Sequence, residues 1–198
     1  MTDRDMNGGT ATKLGPVHVV SWLEAGRASH CGAPVGSQVA ALLAASARQL
    51  ATCLDAAPDA TGAAHDSSAA LEDVVYARLL VRDMSSFSDV NRAYCDFFGS
   101  FPPSRSCVQC RLPQGTGDVS LSLHVHPGSG ASVKWGDRAE REVLHVRSWS
   151  KWAPSCIGPY AQANRSRGAV HLAGQIGLVP ETMTMVRGGA RAELRLLM

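Results

Sequence analysis

The chain has 198 residues, of which 45% are apolar and 18% charged, and its formal net charge is +2. That length accommodates one large domain or two small ones, with enough interior for a real core. The near-balanced charge removes the electrostatic case for nucleic acid or an anionic membrane, and no basic run with interleaved aromatics supplies one.

Residues 1–16 are polar and read as a disordered leader without the apolar stretch of a secretory signal. No apolar run reaches the length that spans a bilayer. A cytoplasmic location is therefore expected, with the six Cys as reduced thiols. Gly15 to Leu23 fits a short strand. From Ser37 to Ala57, Val39, Leu42, Leu43, Ser46, Leu50, Cys53 and Leu54 recur at helical spacing, with Ser37 as a candidate N-cap. Residues 58–70 are small and polar and read as a loop. Val74 to Arg82 is rich in β-branched residues and predicts a strand. A second amphipathic helix follows, carrying Phe87, Val90, Tyr94, Phe97 and Phe98, with Ser85 as cap and Gly99 as its stop.

Two prolines then precede a strand from Arg105 to Leu112, and an alternating strand runs from Val119 to His126. The order predicts an α+β fold, a mixed sheet with helices on one face. Residues 127–142 are Gly/Ser-rich, then charged, and read as a linker. Beyond it come a strand in Val143–Trp149, a loop through Ser150–Gly168, and a strand in Ala169–Val179. Cys107 and Cys110 form a C-x-x-C, but positions i and i+3 of a strand face opposite ways, so no metal is expected there. No second pair of ligands accompanies them, and no metal site is expected in the chain.

The runs GPYAQA (158–163) and HLAGQIGLVP (171–180) resemble the opening of the Rid/YjgF family. The run from Asp83 to Pro113, DMSSFSDVNRAYCDFFGSFPPSRSCVQCRLP, resembles the later half of the same fold. The resemblance implies a chorismate-mutase-like, Rid-type first unit over 17–126 and a truncated second unit over 143–198. Such a chain would be a fragment or a shortened form, and it would leave a sheet edge uncovered. Trimer-like self-association is then expected, to cover strand edges and apolar faces. The tandem order, with SWSKWAPSCIGPYAQA (148–163) at its junction, is similar to the Rid-like region of fungal and plant diphthine–ammonia ligases. That likeness implies a parent that uses ATP and acts on translation elongation factor two, with this chain as an assembly or regulatory module. Its Gly-rich runs at 128–130 and 187–190 lack the Lys-Ser/Thr and strand–loop–helix context of a phosphate loop, so no cofactor is expected in this chain.

Four residues are candidates for ligand binding. Arg105, rigidified behind two prolines, has the fork geometry for a carboxylate, and the resemblance assigns it the carboxylate of an imino or keto acid. Tyr160, on a Gly-Pro turn, can donate its hydroxyl. Gly174 permits close backbone approach. Family deaminases place a Glu where this chain has Ser122, and Ser cannot act as a carboxylate base. His124, two residues on and on the same strand face, is the candidate substitute. Enamine/imine deamination and non-catalytic binding both remain open at this point.

Overall fold

The computed structural model describes residues 17–24, 32–55, 69–98, 102–114, 116–126 and 141–198. The expected leader (1–16), most of the 58–70 loop, Gly99 and residues 127–140 of the linker lie outside the described residues. The main sheet contains β1 (Val17–Glu24), β2 (Val74–Val81), β3 (Ser104–Gln109) and β4 (Thr116–Val125), in the order β1-β4-β2-β3. β4 is antiparallel to both of its neighbours, whereas β2 and β3 are parallel. A parallel pair needs a crossover, and helix α3 (Phe87–Cys95) supplies it.

Helices α1 (Val35–Asp55) and α3 cover one face of this sheet. On α1, Val39, Leu42, Leu43, Ala47 and Leu50 are buried, one stripe at i, i+3, i+4 spacing. They meet Ala77, Leu79 and Val81 of β2 and Val119, Leu121 and Leu123 of β4, the alternate residues of each strand. Each fully buried aliphatic side chain contributes about 1.5–3 kcal/mol. A short helix α2 (Ala69–Glu72) leads into β2. Gln38, buried at the start of α1, accepts from the Asp118 backbone N–H at 2.8 Å and donates to its carboxylate at 3.0 Å. That exchange ties the helix to β4.

Several boundaries differ from the sequence reading. Helix α1 begins at Val35 rather than after a Ser37 cap, because Pro34 presents its carbonyl to the N–H groups of Ser37 and Gln38. Asp83, not Ser85, caps the turn before α3; its carboxylate accepts from the Ser85 N–H at 2.9 Å. Arg141 and Glu142 belong to a strand, not to a linker.

That strand is β5 (Arg141–Leu144), and it forms a small antiparallel sheet with β6 (Ala163–Ser166) and β7 (Ala169–Leu172). Strand β6 lies inside the expected loop. It turns into β7 through Arg167 and Gly168, both at positive φ (48° and 79°), the signature of a two-residue hairpin turn. A tiny hairpin of β8 (Leu178–Val179) and β9 (Thr184–Met185) and a helix α4 (Gly189–Leu197) complete the described chain. The sequence reading took the residues at 187–190 as a turn and did not foresee α4.

Residues 141–198 dock on the main sheet. The Ala161 N–H donates to the Pro103 carbonyl at 3.2 Å, and the Gly174 N–H donates to the Arg105 carbonyl at 3.0 Å. Buried Arg141 donates to Asn164 Oδ1 at 2.7 Å and to the Glu72 carbonyl at 2.6 Å. The outer edge of β3 is thus met by this chain's own later residues, where the sequence led us to expect an open edge. Among the described residues, no helix is long and apolar enough to cross a membrane.

Candidate functional site

Arg105 is the second residue of β3. It pairs with Ala77 in the parallel register, so its side chain points to the helix-covered face. There it is 2% exposed. Its guanidinium carbon lies 4.8 Å from the Tyr94 ring centre, 5.1 Å from that of Tyr160 and 5.6 Å from that of Phe87. Aromatic faces stabilise a cation without neutralising it. One hydrogen bond fixes the fork, from Nη2 to Asn91 Oδ1 at 2.7 Å. Nε and Nη1 are buried without a hydrogen-bond partner among the described residues. A buried, oriented guanidinium with two unused donor groups is costly unless an acceptor arrives.

Beside it lies a cleft of about 490 Å³, walled by Phe87, Cys107, Tyr160, Gly174 and Ile176 as well as Arg105. The walls are mostly apolar, and among the described residues none that lines the cleft is Asp or Glu. Burial pushes the Tyr160 phenol up, so it keeps its proton and remains a donor. Burial likewise raises the Cys107 thiol, which stays un-ionised. Two glycines make the fit possible. A Cβ on Gly158 would stand 2.8 Å from Arg105 Nη2 and 3.0 Å from Asn91 Oδ1. Gly174 lies beside Ser106 and reaches the Arg105 carbonyl through its own N–H.

Arg105, Tyr160 and Gly174 therefore come together, although 55 residues separate the first two. Asn91 and Gly158 complete the arrangement and escaped the sequence reading. Phe87, Asn91 and Tyr94 fall at i, i+4 and i+7, so a single face of α3 lies over the guanidinium. That spacing was a signal available in the sequence.

Ser122 and His124 do not join this cleft. In β4 they alternate with the core residues Leu121 and Leu123, which places them on the opposite face of the sheet. They line a second cleft of about 480 Å³ together with Tyr76, Arg78 and His171. His124 is therefore not positioned to serve a ligand held by Arg105, contrary to what strand alternation alone led us to consider. Burial and the neighbouring imidazoles depress the His126 pKa to about 4, and burial lowers that of His171. Both rings are neutral at pH 7.

Residues 30–119 match the family model described as Endoribonuclease L-PSP. Among curated proteins, the chain is similar to the diphthine–ammonia ligase of Schizosaccharomyces pombe, 36% identical over 58% of this chain and 17% of that protein. It is also similar to that of Saccharomyces cerevisiae, 34% identical over 62% of this chain and 19% of that protein. The chain matches less than a fifth of the length of these relatives. Among solved structures, a YjgF family member from Neisseria meningitidis aligns with 56% of this chain and 78% of its own at 21% identity, with a TM-score of 0.40.

Proposed function

Because this chain carries a Rid/YjgF (L-PSP-type) domain with homology to diphthine–ammonia ligases, we propose that it is a carboxylate-binding Rid-type unit of such a ligase. In this reading it binds a small 2-oxo or imino acid without turning it over, in an assembly or regulatory role. The observation that carries the reading is Arg105, buried, held by Asn91 and three aromatic rings, with two donor groups unused beside an apolar cleft. A carboxylate seated there would accept from Nε or from Nη1, and the second N–H of Nη2 would complete a parallel pair, the strongest geometry available to Arg. Tyr160 would donate to the neighbouring oxo or imino group.

Absence of turnover rests on the lack of a suitable base. Imine hydrolysis needs a base to position water. Among the described residues the cleft wall has no Asp or Glu, and Ser122 and His124 lie on the other face of the sheet. ATP-dependent amide formation, and action on translation elongation factor two in the cytoplasm, belong in this reading to the whole ligase. Self-association fits the same reading, since Val170 and Leu172 on β7 are exposed.

Calorimetric titration with 2-oxobutyrate tests the proposal. Saturable binding that Arg105→Ala abolishes, with no ammonia released from an imino acid, is the expected result. An absence of binding by the wild-type chain refutes the binding role. Ammonia release that depends on Arg105 would replace the binding role with deamination.

A further inference from the structure

On the face of the sheet away from Arg105, three imidazoles converge from two distant parts of the chain. His124 lies on β4, His126 directly follows it, and His171 comes from β7. Their ring centres are 4.8 Å apart for His124 and His171, 5.1 Å for His124 and His126, and 5.4 Å for His126 and His171. All three pairs meet edge-on, at interplanar angles of 73° to 84°. One ring nitrogen from each residue lies within 4.8 Å of the other two. His126 is 4% exposed, and its Nδ1 is buried without a hydrogen-bond partner among the described residues. His171 Nε2 is in the same condition. Two orphaned nitrogens in one cluster are an unusual cost for a fold to carry with no ligand.

We propose that His124, His126 and His171 form a three-histidine site for a transition-metal ion, zinc first among candidates, with its open position facing the cleft lined by Tyr76, Arg78 and Ser122. Three neutral imidazoles suit zinc, copper, nickel or iron(II), and the cluster lacks the oxygen ligands that calcium and magnesium require. Zinc–nitrogen bonds of about 2.0–2.1 Å would draw the nitrogens to roughly 3.3 Å from one another. That contraction, about 1.5 Å from the widest spacing here, lies within the reach of small ring rotations. Three protein ligands with one position open to water or another small ligand is the arrangement of catalytic zinc rather than of a closed structural site. The cleft of about 480 Å³ gives a water or small anion access to that position, and Arg78 on its wall favours an anion. His171 belongs to the docked residues 141–198, so the ion would also clamp β7 to β4.

The test uses the full chain stripped with EDTA, then titrated with zinc and, separately, with cobalt(II). The expected result is one equivalent bound, with the visible bands of tetrahedral cobalt and no sulfur-to-cobalt charge transfer. Saturating zinc should raise the thermal midpoint by roughly 5–10 °C. His171→Gln and His124→Gln should each weaken binding by at least about 100-fold, while His145→Ala, outside the cluster, should leave it unchanged. Should the variants fail to fold, the wild-type cobalt spectrum decides alone. Thiolate charge transfer, an octahedral spectrum, or no saturable binding would overturn the proposal. Binding of 2-oxobutyrate at Arg105 should be indifferent to EDTA, so failure of one site is distinguishable from failure of the other.

Discussion

Gly158→Ala separates the position of the Arg105 guanidinium from its presence. The new Cβ would lie 2.8 Å from Nη2, about 0.6 Å inside ordinary van der Waals contact, and 3.0 to 3.1 Å from both terminal atoms of Asn91. These are ends of side chains, so they can retreat and the fold should survive. Retreat breaks or lengthens the 2.7 Å bond from Nη2 to Asn91 Oδ1. A hydrogen bond to a charged group is worth about 1.5–3 kcal/mol, and a fork displaced by half an ångström or more loses much of a bidentate contact. The expected cost is about 1–2 kcal/mol in folding stability and a fall of at least about 10-fold in carboxylate affinity. Denaturant unfolding measures the first and calorimetry with 2-oxobutyrate the second. Unchanged affinity in a folded Gly158→Ala protein would refute the claim that the guanidinium holds the ligand.

Arg141→Met should destabilise the chain by about 2–4 kcal/mol, because it leaves the Glu72 carbonyl and Asn164 Oδ1 without their donors at the junction between β5 and α2; urea unfolding checks this. In EDTA-treated protein, acid should weaken the fold through His126, which is faced by His124, His171 and Arg167. Its folded pKa of about 4 lies below the ordinary 6.5, so the stability of the neutral form is intact above about pH 6.5 and is lost as pH falls toward 4, by at most about 3 kcal/mol. His126→Phe should flatten that part of a stability–pH curve. Burial pushes the Cys156 thiol up to about 12, which leaves a thiolate fraction of about one in ten thousand at pH 8. Iodoacetamide followed by peptide mapping should therefore label exposed Cys95 well before Cys156.

Local signals were read well up to His126, whereas the strands expected at Val143–Trp149 and Ala169–Val179 are the shorter β5 (Arg141–Leu144) and the separate β7 and β8. The stripe of Val39, Leu42, Leu43 and Leu50 located α1 to within two residues, because burial against a sheet demands that period. Val74–Val81 and the strand ending near His126 were legible from β-branched content and alternation. Strand β6 was not, since Ala163–Ser166 has no β-forming composition; its strand state comes from pairing with β5 and β7 and from the Arg167–Gly168 turn. The site was legible only in pieces. Arg105, Tyr160 and Gly174 stood out through motifs, but nothing local says that two segments of one chain bring them into contact. The histidine cluster illustrates the same limit. His124 and His126 announce themselves as an i, i+2 pair, whereas His171 enters only through tertiary docking, 45 residues later.

The most direct test of the central claim watches the Arg105 side chain itself. Nitrogen-15 NMR of the arginine Nε–H groups, assigned with an Arg105→Lys variant, should show the Arg105 signal shift strongly as 2-oxobutyrate is added, with the other arginines unmoved. That result would place the carboxylate on the buried fork. An Arg105 signal that stays fixed through saturating ligand would contradict the account.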